Sequence, residues 1–122
     1  VISLSAIVLT FLYKIDFQGS DLSGASAIGS NLYKSNLIST NFDYAHLDSI
    51  KLSHATLNHA HIVDSNLSST NISFASIDNA TLSTVNLNYS YLDTVTFKNT
   101  DLSGISLYGA KLDSFEWKII LT

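Results

Sequence analysis

The sequence contains no cysteine, proline, methionine or arginine. Without cysteine there is no disulfide framework and no thiolate chemistry, which fits a reducing compartment such as the cytoplasm. The missing initiator methionine leaves room for an upstream segment. Charge is scarce as well: 13% of residues are charged, and the formal net charge is −4. Six lysines without a single arginine, spread along the chain, offer no basic patch, so direct nucleic-acid binding is not expected. At 122 residues the chain is one domain.

What the sequence does contain is a period of five. Every fifth residue from Phe17 reads Phe17, Leu22, Ala27, Leu32, Leu37, Phe42, Leu47, and so on to Leu107, Leu112 and Trp117, and all are apolar. At 46% apolar content, chance would give such a run roughly once in 10^7. Neither common element accepts this spacing. On a helix, a step of five advances the stripe by about 140° net and spirals it off any face. On an uninterrupted strand, successive fifth residues face opposite ways. The chain must therefore turn once per unit, so that each large side chain points to a shared axis.

Two further phases support a solenoid. Two residues before each centre stand Ser20, Ala25, Ser30, Ser35, Thr40 and their successors, with no charge and no long polar group. A second inward position beside a bulky one has to be small, because interiors pack densely. All five glycines (Gly19, Gly24, Gly29, Gly104, Gly109) fall two residues after a centre, where positive φ would suit a corner.

Units such as Asp21-Leu22-Ser23-Gly24-Ala25 and Asp101-Leu102-Ser103-Gly104-Ile105 closely match the motif of pentapeptide-repeat proteins. Ala110-Lys111-Leu112-Asp113-Ser114 matches apart from its lysine. The chain resembles that family from about Ile15 to Trp117. The resemblance implies an all-β fold, a right-handed quadrilateral β-helix of about five to six coils. Four units would make one coil, so residues twenty apart would stack. The departures are Ala27, an undersized centre, and Ile50 and Ile105, large for the small phase.

The solenoid is expected over residues 16–114, with different ends. Residues 1–15 read as an extra coil, a cap, or the tail of a membrane anchor. Ile2, Ile7 and Leu12 are in phase with the repeat, solenoid ends need covering, and the uncharged run is shorter than the ~20 residues that cross a bilayer. Residues 115–122 alternate apolar positions as a strand or cap would. Ile2, Leu4, Ile7 and Leu9 at one end, and Phe115, Trp117, Ile119 and Leu121 at the other, are candidate assembly surfaces.

Chemistry is harder to find. The histidines His46, His54, His59 and His61 fall on different sides of a four-unit coil, which makes a poor metal site. Asp93 and Asp113 would stack, but acid–base work needs a shielded cleft. The spacing of Gly19, Gly24 and Gly29 is the repeat itself, not a phosphate loop. No enzyme activity, cofactor or metal is expected. The outward aromatics Tyr33, Tyr44, Phe74, Tyr89, Tyr91 and Tyr108, with Ile28, Ile38 and Val63, are the candidate contact surface.

The expected role is a structural or protein-interaction scaffold. Its partner is another protein or itself, as a closed dimer or a head-to-tail filament. A membrane partner would act through residues 1–15, in a soluble domain held by an anchor. The resemblance adds another class, because some pentapeptide-repeat proteins imitate DNA and act on DNA gyrase. In that role Asp16, Asp21, Asp43, Asp48, Asp64, Asp78, Asp93, Asp101 and Asp113 would be the mimicking charges, interrupted by Lys34, Lys51, Lys98 and Lys111.

Overall fold

In a computed structural model, which describes residues 12–112, each five-residue unit makes one side and one corner of a climbing coil. Parallel bridges join residues twenty apart, from Asp16 with Asn36 to Tyr91 with Lys111. One coil therefore takes twenty residues and has four sides, and the described chain makes five coils. The sides are too short for extended strands, since each contributes a single bridged residue. We number the sides by their first-coil centres: first Phe17, second Leu22, third Ala27 and fourth Leu32. Each corner takes the number of the side before it. The unit centred on Leu12 is already in place, because Leu12 donates its N–H to the Asn31 carbonyl and Ile15 closes a turn onto Leu12.

The corner explains why the period is five. Ser20 donates its N–H to the Phe17 carbonyl at 2.9 Å, closing a turn over Gln18 and Gly19. Gly19, the third residue of that turn, has φ +69°, as a type II turn requires. The same position carries positive φ in every described unit, and fifteen of the twenty occupants are not glycine. They include Thr84 and Thr94, whose branched Cβ makes this region costly. The ladders above and below hold those corners in place.

Backbone bonding is nearly complete. The centre N–H donates to the next coil, as Phe17 does to Asn36 at 2.9 Å, and the bridge residue donates to the previous one, as Asn36 does to Ile15. The positive-φ residue donates upward too, as Gly19 does to Ile38. The amide just after each centre is left over. Where the bridge residue is Asn or Asp, its own Oδ1 accepts that N–H: Asn66 accepts from Ser68, and Asn71 from Ser73. Where it is not, an Asn or Asp one coil earlier can substitute. Asp43 thus accepts from Val63, and Asn88 from Tyr108. Asp48 is in position to serve Ser68 in the same way, but Asn66 already holds that amide. Asp48 Oδ1 is left buried without a partner. Asp43→Ala is therefore expected to cost about 1 kcal/mol, the net worth of a hydrogen bond. Asp48→Ala should be neutral or slightly stabilising. Urea midpoints for the two variants check this.

The core is two columns wide on each side. The centres from Phe17 to Phe97 are buried, as are the small positions from Ser20 to Val95. Most hydroxyls at the small phase find a carbonyl on the previous coil: Thr40 donates to the Phe17 carbonyl at 3.0 Å, and Ser90 to the Leu67 carbonyl at 2.8 Å, while the buried Ser30 Oγ has no partner among the described residues. That reach of twenty-three residues also directs residue 50 toward residue 27. Oversized Ile50 and undersized Ala27, both buried, share one stretch of core.

Gly109 differs from the other corner glycines. A Cβ there would lie 2.7 Å from the Tyr89 ring, whereas one on Gly29 meets nothing within 4 Å. Both have similar positive φ. Gly29→Ala is expected to cost about 1 kcal/mol from the backbone alone. Gly109→Ala should cost roughly 0.5–1.5 kcal/mol more, because it displaces Tyr89 from its edge-on contact with Tyr108. In a Tyr89→Ala background, the two substitutions should cost the same.

Candidate interaction surface

Stacking at a period of twenty sorts the outward residues into columns. The fourth corner carries Tyr13, Lys14, Tyr33, Lys34, His54 and Phe74, and the fourth side adds Lys51, Tyr91 and Lys111. The rings form a ladder. Tyr33 meets His54 edge-on at 5.5 Å, and His54 lies flat against Phe74 at 4.8 Å with the planes 10° apart. Three lysines lie over tyrosines: Lys14 over Tyr13 at 5.9 Å, Lys34 over Tyr33 at 5.4 Å and Lys111 over Tyr91 at 4.8 Å. Cation–π attraction keeps these ammonium groups on the wall, not extended into water.

Between the third and fourth corners the wall is concave. A shallow groove of about 360 Å³ runs along the fourth side. Ile50, Lys51 and Asn71 line its length, and Tyr33 and Tyr91 stand towards its ends. At about 4.8 Å per coil, it runs for roughly 14 Å. Among its lining residues Lys51 is the one charged side chain, and none is a histidine or a carboxylate.

The described lysines are therefore not spread as the linear sequence suggests. Four of five stand on the fourth side and corner, with Asp93 the one acid among them. The sequence alone showed no basic patch, because residues twenty apart meet only when the chain coils. The opposite wall has the opposite sign. Asp21 and Asp101 lie on the second side, and Asp43 and Asp64 on the second corner, without a lysine. Hydrogen bonds from Ser23, its side chain first and then its backbone, hold the Asp21 carboxyl below the ordinary range against a smaller opposing effect of burial. The backbone and then the side chain of Ser103 do the same for Asp101.

The aromatics expected at the surface divide among three columns. Tyr33, Phe74 and Tyr91 share the fourth wall; Tyr89 and Tyr108 pair on the third corner at 5.6 Å; Tyr44 stands on the second corner among the aspartates. Five of these six are well exposed, Tyr44 at 64% and Tyr108 at 72%, while Tyr33 is half-buried under Lys34. Ile28 is exposed, and Ile38 and Val63 are half-buried. His54 belongs to the ladder and Tyr13 to the same corner column, although sequence reasoning passed them over as surface rings. Their place one coil from Tyr33 and Phe74 was the available signal.

His46, His59 and His61 lie on the third side, first corner and second side. Among the described residues, no group of three or more His, Asp or Glu side chains could hold a metal ion. No helix there is long and apolar enough to cross a membrane. The proposed ends, Ile2, Leu4, Ile7 and Leu9 with Phe115, Trp117, Ile119 and Leu121, lie outside the described residues, as does Asp113.

A family profile described as pentapeptide repeats matches in 8 copies, over residues 15–53, 45–83 and 75–113. The chain belongs to the pentapeptide-repeat family. Among solved structures, it is similar to a pentapeptide repeat protein from the thylakoid lumen of Arabidopsis thaliana. That match has a TM-score of 0.86 and 23% identity, and covers 89% of this chain and 76% of that one. A pentapeptide repeat protein from Nostoc matches with a TM-score of 0.71 at 22% identity, covering 86% of each chain. Another from the cyanobacterium Cyanothece matches with a TM-score of 0.54 at 25% identity, covering 93% of this chain and 85% of that one. No curated protein matches the sequence.

Proposed function

We propose that this protein is a non-enzymatic interaction scaffold whose working surface is the lysine-and-aromatic fourth wall. One observation carries the reading: the coil gathers Tyr33, His54, Phe74 and Tyr91 with four lysines on a single wall. Exposed rings on a rigid support are the usual anchors of protein contacts, and the ladders pay the ordering cost before binding. The partner is a protein, this chain itself included. We read the coil as right-handed and square, as is usual for parallel crossovers and as membership of the family implies.

The test is light scattering coupled to size-exclusion chromatography over a range of concentrations. The wild type is compared with the triple variant Tyr33→Ser, Phe74→Ser, Tyr91→Ser. Growth in mass that the triple variant loses supports the reading. Wild-type growth that the variant shares places assembly elsewhere and overturns this wall as the working surface.

The gyrase-directed reading is favoured by one feature, the acidic second wall. Its four aspartates, from Asp21 to Asp101, spread over a rise of four coils, or roughly 19 Å at the sheet spacing. A duplex carries one charge per ~1.7 Å, so the wall is several times too sparse to imitate it. A supercoiling assay at micromolar protein decides, and inhibition would restore the reading.

A further inference from the structure

We infer that the partner of the fourth wall is the acidic second wall of another copy of this chain, with the rods side by side and pointing the same way. The inference rests on the reading of the fourth wall as an interaction surface and names what that surface takes. The two walls lie on opposite sides of one rod, since four sides close each coil. A copy displaced sideways, without rotation, therefore presents its second wall to its neighbour's fourth.

The axial register carries the argument. The chain climbs one coil per twenty residues, so residue number measures height along the rod. In such a pair Lys14 faces Asp21, Lys34 faces Asp43, Lys51 faces Asp64 and Lys111 faces Asp101. The offsets are seven, nine, thirteen and ten residues, each less than one coil. At about 4.8 Å per coil the mismatches are roughly 2–3 Å, within the swing of a lysine side chain. Both walls also lack matching charges over the same interval. Between residues 65 and 100 the fourth wall has no lysine and the second wall no aspartate. Inverting one rod pairs three of the four at best. Among the described residues, parallel placement thus uses every charge on both walls except Asp93.

Shape agrees with charge. Tyr44 is 64% exposed on the second corner, among the aspartates. Its height lies between those of Tyr33 and Lys51, and both line the groove on the fourth side. A projecting ring thus meets a recess with an aromatic end and a cationic floor, which suits stacking or cation–π contact. The contact joins unlike surfaces, so each added copy leaves both walls free at the ends of the row. The net charge of −4 opposes growth and holds the row weak and dependent on ionic strength.

The experiment is sedimentation velocity of the full chain at about 20 mM and about 300 mM salt. At the higher salt the Debye length falls below ~8 Å. The wild type should associate at low salt, with the association constant dropping roughly tenfold or more at high salt. Lys14→Asp with Lys51→Asp should sediment as monomer, and so should Asp21→Lys with Asp64→Lys. Mixing these two variants should restore association, because opposite charges then meet again at all four heights. Lys98→Asp, on the first corner, should behave as wild type. A second acidic-wall variant, Asp21→Asn, Asp43→Asn and Asp101→Asn, keeps each backbone-accepting Oδ1 and should still weaken association. It guards against misfolding, as do circular dichroism spectra of every variant.

A wild type that stays monomeric at low salt overturns the inference. So does association that ignores salt, or reversed variants that fail to recover when mixed. Loss of association in the Tyr33, Phe74, Tyr91 triple variant with no response to charge reversal would keep the fourth wall as the working surface and remove the acidic wall as its partner.

Discussion

Deleting Ser69 alone is expected to unfold the coils that follow it, whereas deleting residues 52–71 should leave a shorter rod that still folds. The difference is phase. Ser69 is the positive-φ residue of its corner, at φ 56°. Without it, nine centres from Ile72 to Leu112 leave the axis, or one side must close in four residues and lose its turn. Six of the nine, Ile72 to Phe97, are fully buried, and at about 1.5–3 kcal/mol each their loss matches the ~5–15 kcal/mol that holds a domain together. A four-residue side is costly as well, because ladders on both neighbours fix the distance between corners. Removing residues 52–71 takes out one whole coil and joins Lys51 to Ile72, a bridge residue to a centre. Every later column keeps its side, and stability falls by about one coil's share, as nearest-neighbour stacking predicts. Hydrogen exchange distinguishes the cases: the Ser69 deletion should lose protection beyond residue 69, and the coil deletion should lose none outside the missing segment.

A five-residue deletion lies between these. Removing residues 67–71 joins Asn66 to Ile72 and preserves the corner pattern, but it turns every later column back by one side. Lys111 and Tyr91 then leave the fourth wall for the third. Fold and surface therefore come apart under this change, because the core reads the sequence modulo five and the surface reads it modulo twenty.

The same distinction explains what could be read from the chain. The period of five is local, and each centre is visible within a few residues, so the solenoid and its inward positions Phe17 to Phe97 were legible. The corner glycines disclosed the positive-φ phase, although fifteen other residues occupy it. The bridge asparagines were visible as a pattern, but not their task, because the unpaired amide they accept appears only once the ladders are drawn. The walls were not legible by inspection. Lys14, Lys34, Lys51 and Lys111 look scattered in a line, and only a twenty-residue coil of known phase gathers them. Asp48 was hidden for a related reason: its missing partner depends on Asn66, eighteen residues later, reaching the Ser68 amide first.

Leu52→Ala should be among the most damaging single substitutions, at about 3–5 kcal/mol. Leu52 is a fourth-side centre, 1% exposed, in a column with Leu32 before it and Ile72 after it. The upper part of the usual range for Leu→Ala applies because the site cannot collapse. Leu52 N–H donates to the Asn71 carbonyl at 2.8 Å, and Leu32 N–H to the Lys51 carbonyl at 2.8 Å. These ladders hold the coil spacing, so the space left by three lost methyl-sized groups stays open. Cavity cost then adds to the transfer cost. Leu102→Ala makes the comparison. Leu102 is only partly buried, so less apolar surface returns to water, and about 1–2 kcal/mol is expected. Urea denaturation of both variants measures the difference. Equal losses would mean that the coils relax around a cavity as a globular core does, and that the ladders do not hold the column rigid.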